Sequence, residues 1–321
     1  IANRSEASIL NTASSSMPGK KWLYVYSVIP MFENIPPVLF ALTAAFLFAV
    51  GGQLQFIGLS NIDSRNGTMI SIATSALLYW AIAPFLLDWS HWTQPAVFIF
   101  ILAGLFRPSV SANLSVAGIR HLGPTLSSTL SATAPIFGAT LGVLWLGETL
   151  TWPIAMGTGG VIAAIILLSK KDSRAQATWP LWALTLPIGA AAVRSLAHVL
   201  SKIGMEDIPD PYFAGLIGFS VSAVVTILNQ SMRRKSVAIQ WRNKSLYWFV
   251  ASGFSFGIAV ISLNTALMRG QIVTVVPIVS AAPIFSMLLS IIVFRREKLT
   301  ARIVLAVFLV VPSVTYIALN R

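Results

Sequence analysis

The sequence predicts an all-α integral membrane protein in which ten transmembrane helices form two inverted five-helix repeats. Three observations predict it. Hydrophobic residues fill 56% of the 321 positions and charged residues only 10%, where a soluble domain carries roughly a quarter charged. The segment Ala134-Pro135-Ile136-Phe137 recurs as Ala282-Pro283-Ile284-Phe285, and each copy leads into Glu148-Thr149-Leu150-Thr151 or Glu297-Lys298-Leu299-Thr300. Upstream, Gly104, Leu114, Ala117 and Arg120 overlie Gly253, Leu263, Ala266 and Arg269 at constant spacing. Finally, the most hydrophilic internal stretch, Lys170 to Thr178, follows five apolar runs. Five is odd, so the second half enters the membrane in the opposite sense to the first.

The elements follow in chain order. Residues 1–35 are polar and Ser-rich, and the apolar piece Trp22–Phe32 is too short to span, so they read as a tail outside the fold. The first repeat, 36–169, holds spans at 36–59, 68–87, 95–118, 124–146 and 152–169. A linker, 170–178, joins it to the second repeat, 179–321, with spans at 179–204, 212–231, 246–268, 271–294 and 301–319. Most of these reach the ~20 residues a spanning helix needs. The ten-residue alternating segments of a membrane barrel are absent. There is no cysteine, which removes disulfides and thiolate chemistry.

A net charge of +12 would suggest nucleic acid in a soluble protein, but here the basic residues sit in short loops and read as topology determinants. Fourteen lie on one set of loops (Arg65; Arg120; Lys170, Lys171, Arg174; Arg233, Arg234, Lys235, Arg242, Lys244; Arg295, Arg296, Lys298, Arg302) and six on the other side. The positive-inside rule then puts both termini outside the cytoplasm.

The paired Pro135 and Pro283, Glu148 and Glu297, and the small-residue run Gly157-Thr158-Gly159-Gly160 resemble the EamA-type repeat of the drug/metabolite transporter superfamily, over about 95 residues in each half. The resemblance implies transport of metabolites or drugs and leaves the substrate open. Members more often keep both termini in the cytoplasm, the reverse of what this charge pattern predicts.

All ten acidic residues fall outside or at the ends of the predicted spans. That argues against a proton relay built on carboxylates and against a permanent organic cation as substrate. Positive charge does enter the core, as Arg107 in the third span and Arg194 in the sixth, with His198 one turn beyond Arg194. Burying an arginine costs at least ~2.5 kcal/mol on insertion scales. Such a residue faces a wet cavity whose counter-charge arrives with the substrate, binds backbone carbonyls freed by Pro108 and Pro187, or snorkels. Candidate substrate-binding residues are therefore Arg107, Arg194, His198, Gln53, Gln55, Ser128, Ser131 and Asn264, with Pro135 and Pro283 as helix breaks. Hydroxyls and amides also recur as glue between transmembrane helices. Tyr79, Trp80 and Trp145 are candidates for stacking on a substrate or for interfacial belts.

Two motif matches point elsewhere. Gly253-Phe254-Ser255-Phe256-Gly257 fits G-x-S-x-G, and with His198 it suggests an intramembrane hydrolase, but its repeat partner lacks the serine and no strand precedes it. Close helix packing explains it better, as it does Gly157-Thr158-Gly159-Gly160. His91 and His121 lack metal-ligand spacing, and no metal, cofactor or catalytic residue is expected.

The expectation is a secondary transporter, an exporter or exchanger of a small polar anionic or zwitterionic metabolite, in a bacterial cytoplasmic (inner) membrane. The alternative is a non-transporting scaffold or accessory subunit with the same fold. The expected partners are a small-molecule substrate and the lipid bilayer, not nucleic acid; a monomer and a subunit of a membrane complex both fit.

Overall fold

The computed structural model describes residues 35–59, 62–169, 180–232, 244–295 and 301–320. The predicted tail up to residue 34, the linker 170–178, the basic loop 233–243 and the second acidic block, 296–300 with Glu297, lie outside them. Among the described residues every regular element is helical. Seven helical stretches are long and apolar enough to cross a membrane: Pro37–Gly58, Arg65–Leu86, Ala96–Ser115, Leu181–Asp207, Pro211–Ser231, Ser245–Arg269 and Ile272–Ile292. Three shorter apolar helices, Ala134–Leu146, Trp152–Leu168 and Ile303–Leu319, accompany them.

In chain order, α1 is Pro37–Gly58 and α2 is Ser64–Leu86. Next, α3 (Ala96–Gly104) continues through a π turn, Leu105–Val110, into α4 (Ser111–Ser131). The turn has a local cause. Pro108 carries no N–H, and its ring pushes the preceding residue out of the helical region, so Arg107 takes φ −131°, ψ 131°. The chain also doubles back inside α4, although all its residues are helical. A Cβ on Gly118 would lie 3.0 Å from Ser127 Oγ, nine residues on, whereas a straight helix would separate these positions by roughly 13 Å at ~1.5 Å per residue.

After a break at residues 132–133 come α5 (Ala134–Leu146) and α6 (Trp152–Ser169). The second half holds α7 (Thr185–Asp207), α8 (Pro211–Ser231), α9 (Ser245–Arg269), α10 (Ile272–Ser280), α11 (Ala282–Ile292) and α12 (Ala301–Leu319). Pro135 and Pro283 each fall in the first turn of the helix that follows a break, the one place where a missing N–H costs nothing.

Packing relies on small residues. A Cβ on Gly253 of α9 would stand 2.6 Å from the Ser71 carbonyl oxygen of α2, and Ser75 Oγ donates to the Gly253 carbonyl at 2.7 Å. Along α6, Cβ atoms on Gly157 and Gly160 would meet Ile317 and Ser313 of α12 within 2.4 Å. Both glycine-rich matches are therefore helix contacts. The core is centred on Tyr79, Phe100, Phe213, Leu216, Leu263 and Ile278. Phe85, Phe98, Leu144 and Phe308 point outward, the inside-out pattern of a chain solvated by lipid. Trp145, Trp152, Trp182 and Tyr247 are exposed near helix ends, where aromatic belts meet the headgroups.

Candidate functional site

Arg107 is presented by the π turn of the third span. The break at Pro108 frees carbonyls of the preceding turn, and Ser222 of α8 answers them, its hydroxyl bonding Gly104 O at 2.7 Å and Arg107 O at 3.0 Å. The guanidinium is not needed for that task. It lies instead over Phe48, 5.9 Å from the ring centroid, a cation–π contact with α1. Arg194 comes from the middle of α7 and reaches Ser115 Oγ on α4 at 3.5 Å, the outer limit of a hydrogen bond. His198, one turn along α7, is 5% exposed, and its Nδ1 is buried without a hydrogen-bond partner.

All three side chains line one cavity of about 720 Å³. Ser131, Ala134 and Pro283 line it too. It extends from Phe48 and Arg107 at mid-span to Leu168 at the far end of α6. Among the described residues, no aspartate or glutamate contributes to its wall. Arg107 also borders a smaller space of about 30 Å³ with Asn264 and Ser201, room for a water or two.

Gln53, Gln55, Asn264 and Pro135 lie apart from this wall. Gln53 is bonded from Nε2 to Ser286 O at 2.8 Å and to Ser286 Oγ at 3.0 Å, so it braces α11 just behind the cavity. Gln55 donates to Ser71 Oγ at 3.2 Å at the α1–α2 contact. Asn264 donates to Pro211 O at 3.1 Å. Pro135 is buried at the start of α5. Ser128 belongs to α4, and its side chain is outside the described residues. Tyr79 is fully buried and donates to Gly257 O at 3.0 Å, while Trp80 donates to Ser220 Oγ. Neither they nor the exposed Trp145 line the cavity. Ser255 spends its hydroxyl on Leu47 O at 2.8 Å and is no part of the wall that His198 lines.

At the face from which α6 starts, the structure holds a cluster that the sequence marked only by its recurring glutamate. Gly147, at φ +63°, ends α5 in the left-handed conformation that favours glycine. The turn carries Glu148 back toward the second half. Its carboxylate accepts Lys202 Nζ at 2.7 Å, Ile272 N at 2.8 Å and Val273 N at 3.0 Å. Lys202 Nζ also donates to Gly270 O at 2.7 Å. Glu148 thereby caps the N-terminus of α10, which Gln271 leaves without a side-chain cap, and it places negative charge where the helix dipole favours it. One carboxylate from the first half ties together the end of α7 and the α9–α10 junction of the second.

Beside it on the same face, Asp210 caps α8, accepting Tyr212 N at 2.9 Å and Phe213 N at 3.0 Å, with His91 Nδ1 at 3.6 Å. Burial raises the Asp210 carboxyl above the usual carboxylate range. Across the ring, Asp88 caps the short turn Trp89–Thr93, and the hydrogen bond from Ser90 N lowers its pKa. Among the described residues no cluster of three metal-ligating side chains occurs.

A crystal structure of a protein 19% identical in sequence superposes with a TM-score of 0.75, over 88% of this chain and 96% of the other. At that identity the likeness establishes the fold alone. No curated protein matches. The model of the EamA-like transporter family matches residues 35–170 and again residues 181–319, so nearly the whole helical body is two copies of one family unit, and the chain belongs to the EamA-like transporter family, of the drug/metabolite transporter superfamily.

Proposed function

We propose that this chain is a secondary active transporter, an exporter or exchanger of a small polar anionic or zwitterionic metabolite, that works by alternating access. The observation that carries the reading is the shared cavity. Two permanent cations from different halves face it, and among the described residues neither has an acidic partner and no carboxylate lines it. Intramembrane charge held this way is costly unless a ligand of opposite sign completes it. A scaffold would have no reason to keep that space open and charged.

In this reading the seven long and three short helices are ten spans in two inverted five-helix repeats, and Arg107, Arg194, His198 and Ser131 meet the substrate between them. The breaks before Pro135 and Pro283 let the halves rock. The Glu148–Lys202 cluster closes one face while the cavity reaches toward the other. The charge bias of the loops places the closed face and both termini outside the cytoplasm. Without a carboxylate in the spans, direct exchange of solutes is the simplest cycle, and the bilayer and the substrate are its only required partners.

The test is counterflow in proteoliposomes loaded with organic anions and amino acids. Arg194→Gln keeps a polar side chain and removes the guanidinium fork. The expected result is loss of transport with unchanged expression and melting temperature. Misfolding of the variant, or unchanged transport of an anion, makes Arg194 structural. Accumulation driven by a pH gradient and abolished in His198→Gln would replace exchange with proton coupling through that histidine.

A further inference from the structure

We infer that the cavity selects a dianion, a small molecule with two negative charges such as a phosphate monoester or a dicarboxylate, over monoanions and zwitterions; this rests on the transport reading only for the ligand's passage, not for its binding. The argument is a count of charges and donors. Two guanidinium groups carry ten N–H donors. Among the described residues one of these is engaged, by Ser115 at the 3.5 Å limit, while Arg107 has only the face of Phe48. Nine donors are thus left without a hydrogen-bond partner among the described residues, on two positively charged side chains that line a space of about 720 Å³.

A monoanion neutralises one arginine and leaves the other buried and uncompensated. A zwitterion does worse, since its ammonium group finds no carboxylate in the wall among the described residues. The buried carboxylate at the opposite face, Glu148, is not part of that wall and is held by Lys202, Ile272 N and Val273 N. His198 adds a polar nitrogen that is buried and unpartnered, suited to a neutral hydroxyl or carbonyl of the ligand. Both arginines favour flat or tetrahedral oxyanions, which they grip in a bidentate way. The serine hydroxyls of the wall cannot substitute for a counter-charge: Ser280 donates to Val276 O and Ser111 to Pro108 O.

The experiment is calorimetric titration of the purified full chain in detergent, with paired probes: succinate against the isosteric succinamate, glycerol 3-phosphate against glycerate on the same three-carbon skeleton, and glutamine as the zwitterion. The expected result is that the dianion of at least one pair binds about tenfold or more tightly than its monoanionic partner, and more tightly than glutamine. Arg107→Gln and Arg194→Gln should each bring the members of that pair to within about threefold of each other. Arg107→Lys, which keeps the charge but not the fork, should retain most of the dianion preference and guards against a variant that fails to fold. Preference for succinate identifies two separated carboxylates; preference for glycerol 3-phosphate identifies one doubly charged group.

Equal binding within both pairs, tighter binding of glutamine, no binding of any probe, or a preference that survives both Gln substitutions overturns the proposal. Counterflow with the same probes separates the two readings. A dianion that binds with the expected preference but is never exchanged refutes transport and leaves the site standing. Exchange of a zwitterion with no dianion preference does the reverse.

Discussion

Replacing Glu148 by Gln keeps the shape of the side chain and removes its charge, which isolates what the carboxylate contributes. The glutamate is 6% exposed and Lys202 16%, so water screens the pair weakly. Three donors converge on it: one ammonium at 2.7 Å and two backbone N–H groups at 2.8 and 3.0 Å. Bonds to a charged acceptor contribute about 1.5–3 kcal/mol each, but they share one group and do not sum. The larger effect is the ammonium left without a counter-charge, with only the Gly270 carbonyl to accept from it, and breaking a buried pair from one side costs about 3–5 kcal/mol. At roughly 2–4 °C per kcal/mol for larger domains, the melting temperature should fall by about 6–20 °C. Intrinsic tryptophan fluorescence during heating in detergent reads this directly. The double variant Glu148→Gln/Lys202→Met should recover more than half of the loss, because it removes the stranded charge. A Glu148→Gln melting point within 2 °C of the parent, or a double variant that loses the sum of the two single effects, would refute the reasoning.

Three further outcomes follow from the structure. Gly253→Ala sets a methyl 2.6 Å from the Ser71 carbonyl oxygen, so α9 must back away from α2, and thermal unfolding should register a loss of about 1–3 kcal/mol; Ser255→Ala, two residues on, should lose only the bond to Leu47, about 1 kcal/mol. Because burial raises the Asp210 carboxyl in the folded state, its contribution is fully present below the unfolded value near ~3.9 and is lost as pH rises through the folded value; melting scans from about pH 4 to 7 should fall more steeply for the parent than for Asp210→Asn, which keeps the cap, and parallel profiles would remove the effect. In this cysteine-free chain, a cysteine at Arg269 should react with an impermeant thiol reagent in intact cells and one at Arg65 should not; the reverse pattern would invert the proposed orientation.

Lipid makes much of this protein legible from sequence alone. A helix that must satisfy its own backbone and meet hydrocarbon outside announces its span by hydropathy, and a duplicated unit announces itself by its spacing, as Pro135 with Pro283 and Glu148 with Glu297 do. The break at Arg107 is equally local, since proline dictates the conformation of the residue before it. The cost of charge in a bilayer marks Arg107 and Arg194 as residues that must face something polar. What they face is decided only by the tertiary structure. Helices such as α1 and α5, apolar on all sides, carry no periodic signal for which side turns inward. Gln53 against Ser286, Asn264 against Pro211, and two arginines on one cavity therefore depend on packing angles set by glycine contacts far apart in the chain. Glu148 and Lys202 are the clearest case. Fifty-four residues separate them, each is an ordinary end-of-span charge in the sequence, and only the meeting of α5, α7 and α10 turns them into a buried pair.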